Sequence, residues 1–374
     1  MKTLYIHVGT SKTGSTALQT FCAENRVNLE KNGFCYPAFP VKYDYVGKAR
    51  NGHFLFAENI DDKESVFWDC IDIIKKSFQT FSNVILSDEK LWRLSRKWHK
   101  KFFEAMQKEN YSIKLIIYLR RQDEYVTSSW NQFVKKRYFV QKSQENISES
   151  FEDNGGTWET FLKTREMNPL LHYNKLLKKP ETVYGKKNLL VRRYDRQRFP
   201  QHSICADFMQ ILGLELTEEY RDAQTRQNPS LSPNAAEIQR ILNTMPNQNS
   251  DDNFYFFNKI LLSFSDLSRK NYSCSMFSKE EAKAFLEPYQ KGNRRVAKEY
   301  FGEEDLFYFD EEEKTKWEKD NPYMQDDLIR FVGASCMQIL EENRKMQQEL
   351  QQLIKVLNKI KHPIRTMCEK MHAK

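Results

Sequence analysis

His7-Val8-Gly9-Thr10-Ser11-Lys12-Thr13-Gly14-Ser15-Thr16-Ala17-Leu18-Gln19 joins an apolar strand, Leu4-Tyr5-Ile6-His7-Val8, to a helical pattern that continues through Thr20 and Phe21. A strand, a short turn of Gly, Ser, Thr and Lys, and then a helix is the geometry of a phosphate cradle. Backbone N–H groups at the helix start point at an anion, the helix dipole favours negative charge there, and a lysine adds a full charge. The spacing refines the ligand. A Walker A loop reads G-x-x-x-x-G-K-[ST]. Gly9 and Gly14 are correctly separated, but Ser15 stands where the lysine belongs, and the lysine is Lys12. Thr13 follows Lys12 within the loop, not at the helix start where a Mg²⁺-binding hydroxyl belongs. The loop suits a phosphate and is poorly built for a metal-bound triphosphate. The plainer alternative is an ordinary βα turn with a helix cap; glycine, cation and hydroxyls gathered at one strand end speak against it.

A second segment repeats the logic. Ile113-Lys114-Leu115-Ile116-Ile117-Tyr118-Leu119 reads as a buried strand, Arg120-Arg121-Gln122-Asp123-Glu124 ends it, and a helical stretch follows from Tyr125. Arg120 sits at the strand's carboxyl end and Ser128 lies eight residues on. After a tight turn the two can converge on one anion, the arginine giving a fork of donors and the serine a hydroxyl. Ligands of open α/β sheets bind at that edge, and two anion sites there suit a ligand with phosphates at both ends.

On these residues the chain resembles the sulfotransferases that use 3′-phosphoadenosine 5′-phosphosulfate (PAPS). Lys12-Thr13-Gly14-Ser15-Thr16 is similar to that family's 5′-phosphosulfate loop, and Arg120 with Ser128 to its 3′-phosphate pair. The run Tyr118–Glu124 with Ser128-Ser129-Trp130-Asn131-Gln132 resembles bacterial members. Weaker echoes are Asn188–Tyr194, Asn228-Pro229-Ser230-Leu231-Ser232 and Asn293–Tyr300; together the likeness covers about residues 1–310. It implies a P-loop-NTPase-like fold, PAPS as co-substrate with adenosine 3′,5′-bisphosphate as product, no metal, and an acceptor hydroxyl.

The bulk properties agree. Of 374 residues, 29% are charged and 40% hydrophobic, which is a globular composition. A net charge of +8 suits polyanionic ligands; it is mild for this length, and no nucleic-acid motif or basic block accompanies it. The seven cysteines (Cys22, Cys35, Cys70, Cys205, Cys274, Cys336, Cys368) contain no C-x-x-C pair, so zinc and dithiol chemistry lack support. Met1-Lys2-Thr3-Leu4 enters the first strand without a signal peptide, and no apolar run approaches ~18 residues. A reducing cytoplasm is the expected home.

Along the chain, strands are expected at about 3–8, 34–37, 83–87, 113–119 and 189–194. Helices are expected at about 15–31, 63–80, 96–109 and 124–142, and another from Trp158. Strands separated by helices imply α/β architecture with a parallel sheet covered on both faces. The polar stretch 142–156 reads as an exposed loop. We expect one domain over 1–310, with a PAPS-binding α/β core at about 1–200 and a mainly helical acceptor or cap region at about 200–310. Residues 311–374 form a C-terminal helical extension. In it Met346, Leu350, Leu353, Leu357 and Ile360 step by four and three, heptad spacing over about two heptads, with Lys355, Lys359, Lys361 and Arg365 nearby. A homodimer helix, a membrane-surface helix and a helix docked on its own core all remain open.

For the chemistry, sulfuryl transfer is analogous to phosphoryl transfer and needs positioning, charge stabilisation and a base on the acceptor. Lys12 is the candidate for stabilising the leaving phosphate, aided by Ser15 and Thr16. Glu89, after strand 83–87 in Ser87-Asp88-Glu89-Lys90, is the first candidate base; it resembles a glutamate–lysine pair of glycan-modifying relatives. Its plain role is a helix-start acid complementing the dipole, with Asp88 as the cap. His53 is the rival base. His7 reads as a packed strand residue and Trp130 as core. Arg192, Tyr194, Asn228 and Ser230 are candidates to border the ligand. The acceptor of first choice is a carbohydrate, the second a lipid, sterol or other small alcohol. A P-loop kinase with Asp88 as its Mg²⁺-binding acid, and a non-catalytic assembly protein, are the readings from other classes.

Overall fold

The computed structural model describes residues 2–39, 44–45, 48–49, 51–53, 64–89, 91, 96–135, 156–166, 169–221, 230–245, 251–309 and 315–372. The expected loop at 142–155, the end of the helix expected to reach 142, and Lys90 and Asn228 lie outside them. The strands are β1 (Thr3–Gly9), β2 (Phe34–Cys35), β3 (Asp44–Tyr45), β4 (Lys48–Ala49), β5 (Asn83–Ser87), β6 (Ser112–Leu119), β7 (Leu189–Arg193), β8 (Cys274–Ser275) and β9 (Thr315–Lys316). Five of them form one parallel sheet in the order β2-β5-β1-β6-β7. The strand that carries the glycine loop is therefore central, flanked by the strands that lead to Glu89 and Arg120. β3 and β4 pair antiparallel, and β8 and β9 pair parallel.

Both sheet faces are covered, as the side-chain alternation of period two requires of apolar strands buried on both sides. One face presents Leu4, Ile6, Val8, Val84, Leu86, Ile113, Leu115, Ile117 and Leu119 to the helices Glu64–Thr80, Arg96–Gln107 and Tyr173–Tyr184. The other presents Ile85, Ile116 and Tyr118 to Leu18, Phe21 and Cys22 of the helix Ser15–Glu24 and to Cys205, Phe208 and Met209 of the helix Ile204–Ile211. The architecture is α/β, a five-stranded parallel sheet flanked by helices.

Local chemistry adjusts the expected boundaries. The helix expected over 15–31 is two helices, Ser15–Glu24 and Arg26–Lys31. Asn25 breaks it. Its amide nitrogen donates to the Phe21 carbonyl (2.9 Å) and to the Arg221 carbonyl (2.9 Å), and its Oδ1 accepts from the Arg221 N–H (2.8 Å). A short amide side chain that bonds backbone locally competes with the helical ladder.

The boundary expected near residue 310 falls elsewhere. The chain divides into two compact units, one of residues 1–133, 156–230 and 276–314, the other of 134–155, 231–275 and 315–374. The expected cap region at about 200–310 is thus split, because 231–275 carries an apolar face that packs on the chain's last helix. In that second unit Leu231, Ala235, Ile238, Ile260, Leu261 and Phe264 cluster with Phe331 of the helix Met324–His372. Asn234 donates to Asp327 Oδ2 (3.0 Å) and accepts from Trp317 Nε1 (2.8 Å), and Ser268 donates to Asp327 (2.6 Å).

Three imidazoles are buried in the first unit. His7 is hydrogen-bonded to Ser87 Oγ (2.8 Å) and His99 to Tyr184 Oη (2.9 Å); His53 is described below. Burial pushes them down from 6.5 to about 3 for His7 and about 4 for His53 and His99. Each is neutral when folded and takes up a proton near pH 6.5 when unfolded. Stability should therefore fall as pH drops from 6.5 towards 4, by about 2 kcal/mol per histidine at pH 5. Urea unfolding at pH 7 and pH 5 reads this, and His99→Gln should remove about a third of the difference.

Candidate active site

The loop after β1 turns on two left-handed residues, Lys12 (φ 68) and Gly14 (φ 78), before the helix Ser15–Glu24 begins. Gly14 is required twice over. Its φ is unfavourable to any side chain, and a Cβ there would lie 2.9 Å from Ile204 Cδ1 and 3.3 Å from Tyr194 Cε2. Lys12 has no such freedom, and strained non-glycine residues of this kind concentrate at functional sites. The loop is tied to β6: the Thr10 N–H and Oγ1 both donate to the Tyr118 carbonyl (2.9 and 3.1 Å), while buried Thr13 donates to the Thr10 carbonyl.

The second motif is bound into the first. Arg120 Nη1 donates to the Lys12 carbonyl (3.1 Å), its Nε reaches Glu124 Oε2 (3.3 Å), and its guanidinium lies over the Tyr194 ring at 5.3 Å. Lys12 Nζ donates to Gln132 Oε1 (2.8 Å), and Ser11 Oγ is hydrogen-bonded to Tyr125 Oη (3.0 Å). Tyr125 and Gln132 belong to the helix Gln122–Lys135, seven residues apart. Ser128 lies between them at i+3 and i+4, so it shares the face turned to the loop. Lys12, Thr13, Gly14, Ser15, Arg120 and Ser128 thus gather at one edge of the sheet. Arg121 points elsewhere, clamping Asp123 through two bonds (2.8 and 3.0 Å) and reaching the Tyr308 carbonyl (2.9 Å).

Glu89 leaves β5 directly beside the loop's root. A Cβ on Gly9 would lie 3.2 Å from Glu89 Cβ, so only glycine lets the glutamate approach this closely. Asp88, buried, continues the sheet by donating its N–H to the His7 carbonyl (3.0 Å). His53 does not join them as a base. Its Nδ1 accepts from the Ser87 N–H (3.0 Å), so Nε2 carries the proton and donates to the Pro37 carbonyl (2.9 Å). The ring is buried between Tyr36 and Phe39, and its pKa is held down at about 4 chiefly by burial. With both nitrogens used by backbone, His53 pins the 51–53 segment to β5.

The remaining candidates divide. Tyr194 packs on Gly14 and Arg120 as a border residue, whereas Arg192 is committed to an ion pair with Asp207, which also accepts from Tyr118 Oη (2.7 Å). Trp130 is core, against Phe133, Trp158 and Phe161. Ser230 is exposed. Tyr125 and Gln132 were legible only as helix positions; their i, i+3, i+7 spacing with Ser128 is the signal that marks them.

Ser15 points to a ligand. It is 4% exposed, and its Oγ has no hydrogen-bond partner among the described residues. Leaving a buried hydroxyl unsatisfied costs about 1–3 kcal/mol. It stands in the first helical turn, where N–H groups have no intrahelical acceptor, and Thr16 beside it is exposed. An anion seated over Gly14–Thr16 would satisfy both. Among the described residues no group of three or more His, Cys, Asp or Glu is placed to hold a metal.

No family model matches the chain. A protein of Archaeoglobus fulgidus described as uncharacterized is 27% identical over 230 residues, 61% of this chain and 57% of that one; this chain thus spans little more than half of its relative. Among solved structures, the crystal structure of a sulfotransferase from Alicyclobacillus acidocaldarius is similar over 61% of this chain and 87% of its own, at 16% identity and a TM-score of 0.34. A likeness that loose transfers no residue roles.

Ser15→Ala separates binding from folding. It should leave the unliganded protein as stable or more stable by thermal unfolding, because the orphaned hydroxyl is gone, while weakening inorganic pyrophosphate binding in calorimetry. Gly14→Ala should instead lower the unfolding midpoint by the equivalent of about 1–2 kcal/mol.

Proposed function

We propose that the protein is a sulfotransferase that moves a sulfuryl group from PAPS to an acceptor hydroxyl, with a carbohydrate as acceptor. The observation that carries this reading is the bond from Arg120 to the Lys12 carbonyl. It puts a guanidinium and a lysine loop side by side at the ends of adjacent parallel strands, as a ligand with phosphates at both ends requires. The absence of a lysine after Gly14 argues against a Mg²⁺-bound triphosphate.

In this reading Lys12, the first-turn N–H groups and the Ser15 hydroxyl hold the 5′-phosphosulfate, and Arg120 with Ser128 holds the 3′-phosphate. The acceptor oxygen attacks sulfur, and the bond from sulfur to the bridging oxygen breaks. Adenosine 3′,5′-bisphosphate leaves with the bond's electron pair, and Lys12 stabilises that charge. Glu89 takes the acceptor proton. Its position supports this role: it is half-buried and set against Gly9 at the loop's root. Among the described residues no helix is long and apolar enough to cross a membrane.

Titration with adenosine 3′,5′-bisphosphate in the absence of Mg²⁺ tests the donor. We expect micromolar or tighter binding, roughly −8 kcal/mol, largely lost in Arg120→Ala. ATP–Mg²⁺ binding in its place would mark a kinase. Lys12→Ala should reduce sulfuryl transfer at least 100-fold, about 2.7 kcal/mol. Glu89→Gln should keep donor binding and lose rate; an unchanged rate removes Glu89 as the base.

A further inference from the structure

The helix Met324–His372 is 49 residues long, ~73 Å at the α-helical rise. Its first turns are anchored in the second unit. Asp327 is buried and bonded to Arg330 (2.7 Å), and Phe331 is buried in the apolar cluster. The opposite face of the same turns is bare: Ile329 is 63% and Val332 57% exposed. From 341 to 358 every residue is exposed. Helices draw most of their stability from a packed face, which this segment lacks among the described residues.

The apolar seam is longer than the sequence spacing at 346–360 suggested. Ile329, Val332, Cys336, Ile339, Asn343, Met346, Leu350, Leu353 and Leu357 step by three and four without interruption, four full heptads from 329 to 356. All nine are exposed. Strict 3.5-residue spacing over four heptads is the pattern of a helix that faces another helix in a coiled coil. A membrane-surface helix wants a basic polar face, whereas 329–357 balances Arg330, Arg344, Lys345 and Lys355 against Glu341, Glu342 and Glu349.

We propose that this seam binds the same seam of a second copy, forming a parallel, in-register two-stranded coiled coil. The one amide in it decides the register. Two Asn343 side chains at matching a positions bond each other across the dyad, whereas an antiparallel pair sets each amide against an apolar d residue. The flanks agree. In parallel register the g residues Glu342 and Glu349 face Gln347 and Ile354 of the other copy, so no like charges meet.

The inference is independent of the proposed activity. Sedimentation equilibrium of the full chain at micromolar concentration should give twice the chain mass. Leu350→Asp with Leu353→Asp should shift it to one chain, and Gln348→Asp, on the far face, should not. Asn343→Leu should produce higher-order species. Cys336 is an exposed free thiol at an a position, so two copies in register bring their thiols together. Diamide, which takes up two electrons and two protons from the thiol pair, should give a disulfide-linked dimer that Cys336→Ser abolishes. A single-chain mass at 100 µM overturns the proposal, and co-sedimentation of that monomer with phosphatidylserine vesicles would assign the face to lipid. A dimer without the Cys336 disulfide overturns the parallel register.

Discussion

The hydrogen bond from the Arg120 guanidinium to the Lys12 carbonyl ties together everything that gives this site a chemistry. It spans two neighbouring strands and fixes the glycine loop against the turn that opens the next helix. The carbonyl it engages belongs to a residue with positive φ, so the loop is held in a backbone state that its own sequence disfavours. Ser11 on Tyr125 and Lys12 on Gln132 repeat the linkage two helical turns apart. The groups proposed to hold the anion are thereby pre-positioned, which would reduce the ordering cost of binding.

Below the site, the imidazoles inside the sheet are held by neutral hydrogen bonds and not by charged partners. His53 spends both nitrogens on β5 and Pro37, and His7 meets Ser87 on the adjacent strand. Burial keeps these rings neutral, so they serve as uncharged struts. Ser15 differs in its place: its buried hydroxyl, without a hydrogen-bond partner among the described residues, stands at the start of the helix that follows the glycine loop.

The second unit follows a different logic. Its core is small, and Asn234, Ser268, Trp317 and Asp327 form a polar staple beneath the start of the last helix. A helix anchored at one end and bare from 341 to 358 has its stability set by whatever covers the seam. The proposed pairing would make assembly part of that unit's folding.

The order of strands and helices was legible in the sequence, because apolar runs of period two and helical runs of period 3.6 are local properties. β5 and β7 fall within a residue of their reading, and the glycine loop announced itself by residue type alone. Sequence spacing also placed Ser128 eight residues from Arg120. What it did not carry was which neighbours these residues meet. His53 was open as a base until its two backbone partners, 16 and 34 residues away, were in place. Arg192 was a candidate until Asp207 claimed it, and residues 231–275 read as part of a cap region over about 200–310 until their apolar face met the last helix. Local pattern determines elements and the chemistry they carry; long-range packing alone decides which of those groups remain available to a ligand, because it alone decides which hydrogen bonds are already made.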